Sequence, residues 1–213
     1  MRKKNFQRKI NKSPLEVCEM IKIDLGAGLL SSNKIDRYKR YLGDDYNPSD
    51  YLKVDVQGGE GVDKICDFET EKLPFSENSV DEIVTIHTLE HIHNLEHIIK
   101  ECHRVLKSNC SLKIWVPHCN STVAFGEPSH VRFFSVSTFD NYDVRARDPE
   151  PQKLGIFFKK MSTKLQVCRC LYKVKWFDNL LAKMLSKKLR RGERLLKILP
   201  YKEWEVFFEL KKA

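Results

Sequence analysis

The chain has 213 residues, 41% hydrophobic and 31% charged, a composition that excludes a disordered or fibrous protein. It has no apolar run near the roughly 20 residues that span a bilayer, and no signal-peptide apolar stretch follows its basic N-terminus, so a cytoplasmic protein is expected. The net charge of +9 is unevenly spread: residues 1–12 hold six basic and no acidic residues, 13–151 hold 15 basic against 24 acidic, and 152–213 hold 17 against 5. Basic ends on an acidic middle point either to an anionic partner or to a solvated surface.

In chain order, residues 1–14 read as a flexible basic lead-in, and 15–213 as a single domain. Met20 to Leu25 is the first strand, running into the turn Gly26-Ala27-Gly28. Residues 29–42 read as a short helix or irregular segment ending near Gly43. Tyr51 to Val56 alternates with period two and is rich in strand formers, and a glycine turn follows at 57–61. Val62 to Phe68 is a third strand and Val80 to Ile86 a fourth. Asn94 to Leu106 places apolar residues at 95, 98, 99, 102, 105 and 106, the spacing of an amphipathic helix. Ser111 to Val116 is a fifth strand, stopped by Pro117.

Residues 117–151 are rich in loop signals. Lys164 to Trp176 and Glu203 to Lys211 are two more strands, with a basic amphipathic helical segment from Phe177 to Leu199 between them. Strands alternating with helical segments argue for an α/β fold with a mostly parallel sheet. In such sheets the ligand lies beyond the carboxyl ends of the strands. The residues that matter are therefore Gly26-Ala27-Gly28, Asp55, Asp67-Phe68, His87 and Pro117-His118.

The glycine corner is a nucleotide-binding element. A triphosphate loop needs a lysine and a hydroxyl residue after the last glycine, but Leu29-Leu30-Ser31 follows Gly28. A dinucleotide corner wants a glycine or alanine where Ser31 stands, but Asp45 lies near the distance of its ribose acid, so that reading is weakened rather than excluded. Asp55 can accept two ribose hydroxyls, and Asp67 can accept an adenine amino group with Phe68 near the ring. No basic cluster awaits a pyrophosphate at the first turn, so the suited ligand is a nucleoside without phosphates.

Seven cysteines stand at 18, 66, 102, 110, 119, 168 and 170, none in a CxxC pair, which reads as free thiols in a reducing compartment. His87, His91, His93 and His97 invite a metal reading. His-Thr-Leu-Glu-His lacks the order of the zinc-protease motif, so no metal is expected.

The chain resembles the class I S-adenosylmethionine-dependent methyltransferases of the type-11-like group. The resemblance rests on Ile23 to Gly28, Val54-Asp55-Val56, Cys66 to Glu69 with Leu73-Pro74-Phe75, Asn78 to Ile83, His87 to Ile92, Glu101 to Lys107 and Pro117-His118. These segments stand in family order and cover roughly residues 20–140. The resemblance implies a Rossmann-like sheet of seven strands, helices on both faces and the last strand antiparallel. It implies S-adenosyl-L-methionine as cofactor, with Asp24 and the Gly26-Ala27-Gly28 turn on its methionine side. Asp55 would hold the ribose, Asp67 and Phe68 the adenine, and His87 would flank the sulfonium. Asp45 competes with Asp55 for the ribose, because almost no helix fits between Asp55 and the third strand. The cofactor-binding half is about 20–118; acceptor-side loops and a basic helical insertion occupy about 119–200.

A hydroxyl acceptor needs a base, and histidine is the usual one near neutral pH. His118 and His130 are the candidates, with a pocket-shaping role equally open to both. His130 lies in Glu127 to Phe134, which resembles a segment of sugar-pathway and cell-surface methyltransferases. The expected acceptor is a hydroxylated small molecule or a saccharide, anionic and lipid-linked if residues 176–199 touch a membrane surface. Nucleic acid is the weaker option, for want of interleaved aromatic and basic residues. An RNA or protein methyltransferase and a catalytically inactive, cofactor-binding regulatory module remain the alternatives.

Overall fold

The computed structural model describes residues 20–28, 38–39, 41–146, 153–167 and 203–213, with the helical residues 180, 183, 184, 186, 187 and 190. The basic lead-in, Cys168, Cys170 and most of the basic helical segment lie outside the described residues. Seven strands form one sheet: β1 (Lys22–Leu25), β2 (Leu52–Asp55), β3 (Lys64–Ile65), β4 (Val80–Ile86), β5 (Leu106–Pro117), β6 (Phe158–Val167) and β7 (Trp204–Lys212). Their spatial order is β3-β2-β1-β4-β5-β7-β6. Strands β1 to β5 pair in parallel, and β7 runs antiparallel to both β5 and β6. The chain thus reverses direction once, at its last strand, as the family resemblance implies. Two helices are fully described, α1 (Leu95–Val105) and the short α2 (Thr122–Gly126). Among the described residues no helix is long and apolar enough to cross a membrane.

The central strands are buried against one large apolar cluster, and β4 and β5 add Val84, Ile86 and Trp115 to a second, while β1 and β2 also bury Asp24 and Lys53. Ile23, Leu25, Val54, Ile83, Val84, Leu112, Ile114 and Val116 are all fully enclosed, as expected for a parallel sheet covered on either side. Helix α1 buries Leu95, Ile98, Ile99, Cys102 and Val105, a stripe set by the 3.6-residue repeat. Asn94 caps it, its side-chain oxygen accepting from the His97 N–H at 3.3 Å. The buried Glu101 and its neighbour Arg104 tie this helix to the loop after β3. The Glu101 carboxylate accepts from the Leu73 N–H at 2.8 Å and from Arg104 Nη2 at 2.7 Å. The guanidinium in turn donates to the Leu73 and Phe75 carbonyls. Burial alone would raise the Glu101 carboxyl, but the arginine and the Leu73 N–H outweigh it and hold the acid below its ordinary value.

Several element bounds differ from the expectation. Strand β3 is two residues long because only Lys64 and Ile65 reach a neighbour, β2. Strand β5 begins at Leu106, directly after α1, since Leu106 already pairs with Val80. Strand β6 begins at Phe158 rather than Lys164, where β7 supplies partners from Lys212 back to Phe208. Tyr38, Lys39, Tyr41 and Leu42 are helical. That turn stops at Gly43, whose φ of 103° and N–H bond to the Lys39 carbonyl at 2.9 Å form a glycine stop.

Candidate active site

A cavity of about 370 Å³ lies beyond the carboxyl ends of β1, β2, β3 and β4. Gly26, Asp55, Asp67, Phe68 and Glu69 line one side, and His87, Thr88, His91 and Ile92 the other. Every lining residue follows a strand or ends one, which is where parallel sheets place ligands.

The glycine corner is packed against Thr88. Gly26 adopts φ of 79°, and its N–H bonds the Val54 carbonyl at 2.8 Å. A Cβ there would stand 2.0 Å from Thr88 Oγ1. Thr88 is pinned in turn, donating to the Leu25 carbonyl at 3.2 Å. Both the conformation and the space therefore require glycine. The turn closes where the Gly28 N–H meets Asp55 Oδ2 at 2.7 Å. Asp55 Oδ1 accepts from the Gln57 N–H at 3.0 Å, so the carboxylate is held in place with lone pairs left for a ligand.

Asp55 borders the cavity, whereas Asp45 is exposed in a turn and is not part of its wall. Asp24 is also off the wall: it is fully buried and accepts from the Tyr38 hydroxyl at 3.0 Å. Ala27 is fully buried beneath the turn. Asp67 accepts from the Glu69 N–H at 2.9 Å and the Thr70 hydroxyl at 2.8 Å, bonds that lower its pKa. Phe68 belongs to the hydrophobic core and also lines the cavity.

The opposite wall is a network of charge. His87 stands one residue beyond β4 with φ of 53°, a left-handed conformation costly for a non-glycine residue. Its Nε2 is 2.7 Å from Glu205 on β7, and its Nδ1 is 3.2 Å from Glu90. The Tyr41 hydroxyl donates to Glu205 at 2.7 Å. Burial would push the imidazole down, but the two carboxylates outweigh it and raise its pKa to about 9. His87 is therefore an imidazolium at neutral pH, unsuited to accept a proton.

His130 and His118 lie in the segment after β5, in different settings. His118 is fully buried, and its Nδ1 accepts from the Asn120 N–H at 3.1 Å. An Nδ1 that accepts leaves the neutral ring's proton on Nε2. His130 is the reverse: its Nδ1 is 3.1 Å from the Ala124 carbonyl, to which it can only donate, so in the neutral ring Nε2 bears the lone pair. That Nε2 points toward Glu90 at 3.9 Å, and the His130 ring meets His91 with centroids 4.7 Å apart. The segment is clamped here because the Val131 and Arg132 N–H groups both donate to the Glu90 carbonyl, at 2.9 and 3.1 Å. Arg132 also reaches the Ile92 carbonyl at 2.8 Å and the His93 carbonyl.

Sequence reasoning missed Thr88, Tyr41, Glu205 and Glu69 as parts of this region. Glu205 has a visible signal: it is an acid inside the apolar run Trp204 to Phe208.

A family model described as a methyltransferase domain matches residues 22–114. No curated protein matches the chain. Among solved structures, a S-adenosylmethionine-dependent methyltransferase from Archaeoglobus fulgidus aligns at 15% identity and a TM-score of 0.50, over 91% of this chain and 86% of that one. The YcgJ protein of Bacillus subtilis aligns at 14% identity and a TM-score of 0.51, over 92% and 93%. Phosphoethanolamine N-methyltransferase 2 of Haemonchus contortus, in complex with S-adenosyl-L-methionine, aligns at 12% identity and a TM-score of 0.50, over 91% of this chain and 49% of that one. At such identities the likeness is one of fold.

Proposed function

We propose that this chain, which belongs to the class I S-adenosylmethionine-dependent methyltransferases, methylates a hydroxyl of a small-molecule, saccharide or lipid-linked acceptor. Asp55 takes the ribose hydroxyls, and Asp67 with Phe68 takes the adenine. The Gly26-Ala27-Gly28 turn lies against the methionine end, and Asp24 supports that turn through the core. His87, with Glu90 and Glu205 beside it, faces the sulfonium.

The observation that carries the acceptor reading is the tautomer of His130. Bonded to the Ala124 carbonyl through Nδ1, it offers Nε2 as a proton acceptor beside His91, which lines the cavity. His118 offers Nε2–H instead, which places it second. The reaction is an in-line displacement: the acceptor oxygen gives its proton to His130 and attacks the methyl carbon, and the carbon–sulfur bond breaks. Holding the two reactants at attack distance supplies much of the acceleration.

The membrane-surface part of the reading is supported by exposed Leu180 and Met184, one helical turn apart, beside exposed Lys183, Lys187 and Arg190. Such a face suits an anionic lipid surface. A methyl-transfer screen over saccharides, lipid-linked saccharides, RNA and peptides tests the acceptor, and product on RNA or peptide alone would overturn it. Vesicles with and without anionic lipid test the surface: failure to bind at low salt removes it.

A further inference from the structure

We propose that Glu90, His91 and His130 form a site for one divalent transition-metal ion, zinc or a close relative, at the acceptor end of the cavity. One ligand atom from each of the three residues can be chosen so that all lie within 4.8 Å of one another. His130 Nε2 and Glu90 Oε1 are 3.9 Å apart, too far for a hydrogen bond but within reach of two ligands of one ion. Metal bonds of about 2.1 Å bring such ligands to roughly 3.0–3.5 Å, so a small rotation of the exposed His91 closes the set.

Two further observations point to a cation. Each histidine has its Nδ1 against a backbone carbonyl, His91 at Ser129 (3.2 Å) and His130 at Ala124 (3.1 Å). A carbonyl only accepts, so both Nδ1 atoms donate, and in the neutral rings both Nε2 atoms carry the lone pair. This is the outer-shell arrangement that fixes metal-binding histidines. Second, Glu90 is almost fully buried, and its Oε2 has no hydrogen-bond partner among the described residues. Two imidazoles and a carboxylate are acceptors facing one another, and such a donor set suits zinc, cobalt or nickel better than magnesium or calcium. The other histidines are engaged elsewhere: His97 Nε2 is 2.8 Å from the Glu71 carbonyl, and His93 lies beside Glu69.

Three protein ligands leave a coordination position for substrate. The inference rests on the hydroxyl-acceptor reading in this respect: the open position takes the acceptor oxygen. With the ion bound, His130 holds metal instead of accepting a proton. The coordinated hydroxyl then loses its proton to solvent water, forms the new bond to the methyl carbon, and the carbon–sulfur bond breaks to leave the thioether.

The test is a calorimetric titration of zinc into the untagged full chain, stripped with a chelator, with cobalt absorption as a second readout. One equivalent is expected, with visible cobalt bands and no thiolate charge-transfer band in the near ultraviolet. Affinity should fall at least tenfold in His91→Asn, whose side chain is exposed, and in His130→Gln, and stay unchanged in His93→Ala. No binding, equal affinity in His91→Asn, or a thiolate band would overturn the proposal. One-equivalent binding lost in His91→Asn, in a protein that methylates no hydroxyl, would uphold the site and overturn the acceptor reading instead.

Discussion

The two walls of the cavity differ in how far the chain travels to build them. The wall holding Gly26, Asp55, Asp67 and Phe68 is made of residues that end β1, β2 and β3 or follow them closely. Each is placed by its own strand. The opposite wall joins His87 to Glu205, 118 positions away, and Tyr41 to Glu205, 164 positions away. It exists only because β7 inserts antiparallel between β5 and β6. The first wall is a property of local backbone, and the second a property of topology. The account assigns the cofactor mainly to the first and the acceptor chemistry to the second, so variants should separate the two functions.

The largest separation is expected in His130→Ala. Loss of the side chain proposed to receive the acceptor proton, or to hold the ion that activates the acceptor, should lower turnover roughly 10²–10⁴-fold, while the dissociation constant for S-adenosylmethionine changes little. Single-turnover rates and a cofactor titration on the same sample check this, and an equal loss in both would merge the two walls. Gly26→Ala should do the opposite. Its Cβ would collide with Thr88 at 2.0 Å from a φ of 79°, and cofactor affinity should fall roughly 10²–10³-fold through the distorted turn. Shortening the neighbour in Gly26→Ala/Thr88→Gly should recover part of that loss, since it relieves the collision but not the backbone conformation.

Glu205→Ala tests whether the second wall also holds the fold. It would leave the partly buried His87 imidazolium with one carboxylate and remove the Glu205 acceptor of the Tyr41 hydroxyl. A cost of about 3 kcal/mol is expected, seen as a fall in Tm of roughly 6–12 °C. Asp143→Asn, away from both walls, should have the smallest effect. Asp143 is pulled down to about 2 chiefly by Arg145, with a further bond from the Lys160 N–H. A depressed carboxyl stabilises the fold above its unfolded pKa and loses that contribution as pH falls toward 2. The variant should therefore lose at most about 2 kcal/mol at neutral pH. Its deficit should shrink between pH 4 and pH 2, in denaturant melts, with cofactor affinity unchanged.

The same contrast explains what the sequence could reveal. Gly26, Gly28, Asp55 and Asp67 are readable because a strand followed by glycine or an acid is a short-range pattern. Helix α1 is readable from its 3.6-residue stripe, and its bounds differ by one residue at either end. The early start of β6 is not readable, because Phe157-Phe158-Lys159-Lys160-Met161 shows no alternation and gains its register only from β7. Glu205 stands out as an acid inside an apolar run, but its partner His87, 118 positions away, is not legible until β7 brings the two together. His118 and His130 are equivalent candidates in sequence, and only the groups at their Nδ1 atoms, Asn120 N–H and Ala124 C=O, tell them apart. Hydrogen-bond direction is a property of folded backbone and leaves no trace in residue type.

The central claim is that the glycine corner with Asp55 binds a cationic nucleoside methyl donor. Calorimetric titration of S-adenosylmethionine into the full chain tests it most directly. The account predicts saturable one-to-one binding, weakened at least tenfold in Asp55→Ala and weaker still in Gly26→Ala. No binding by the parent chain, or equal binding by all three, would contradict it.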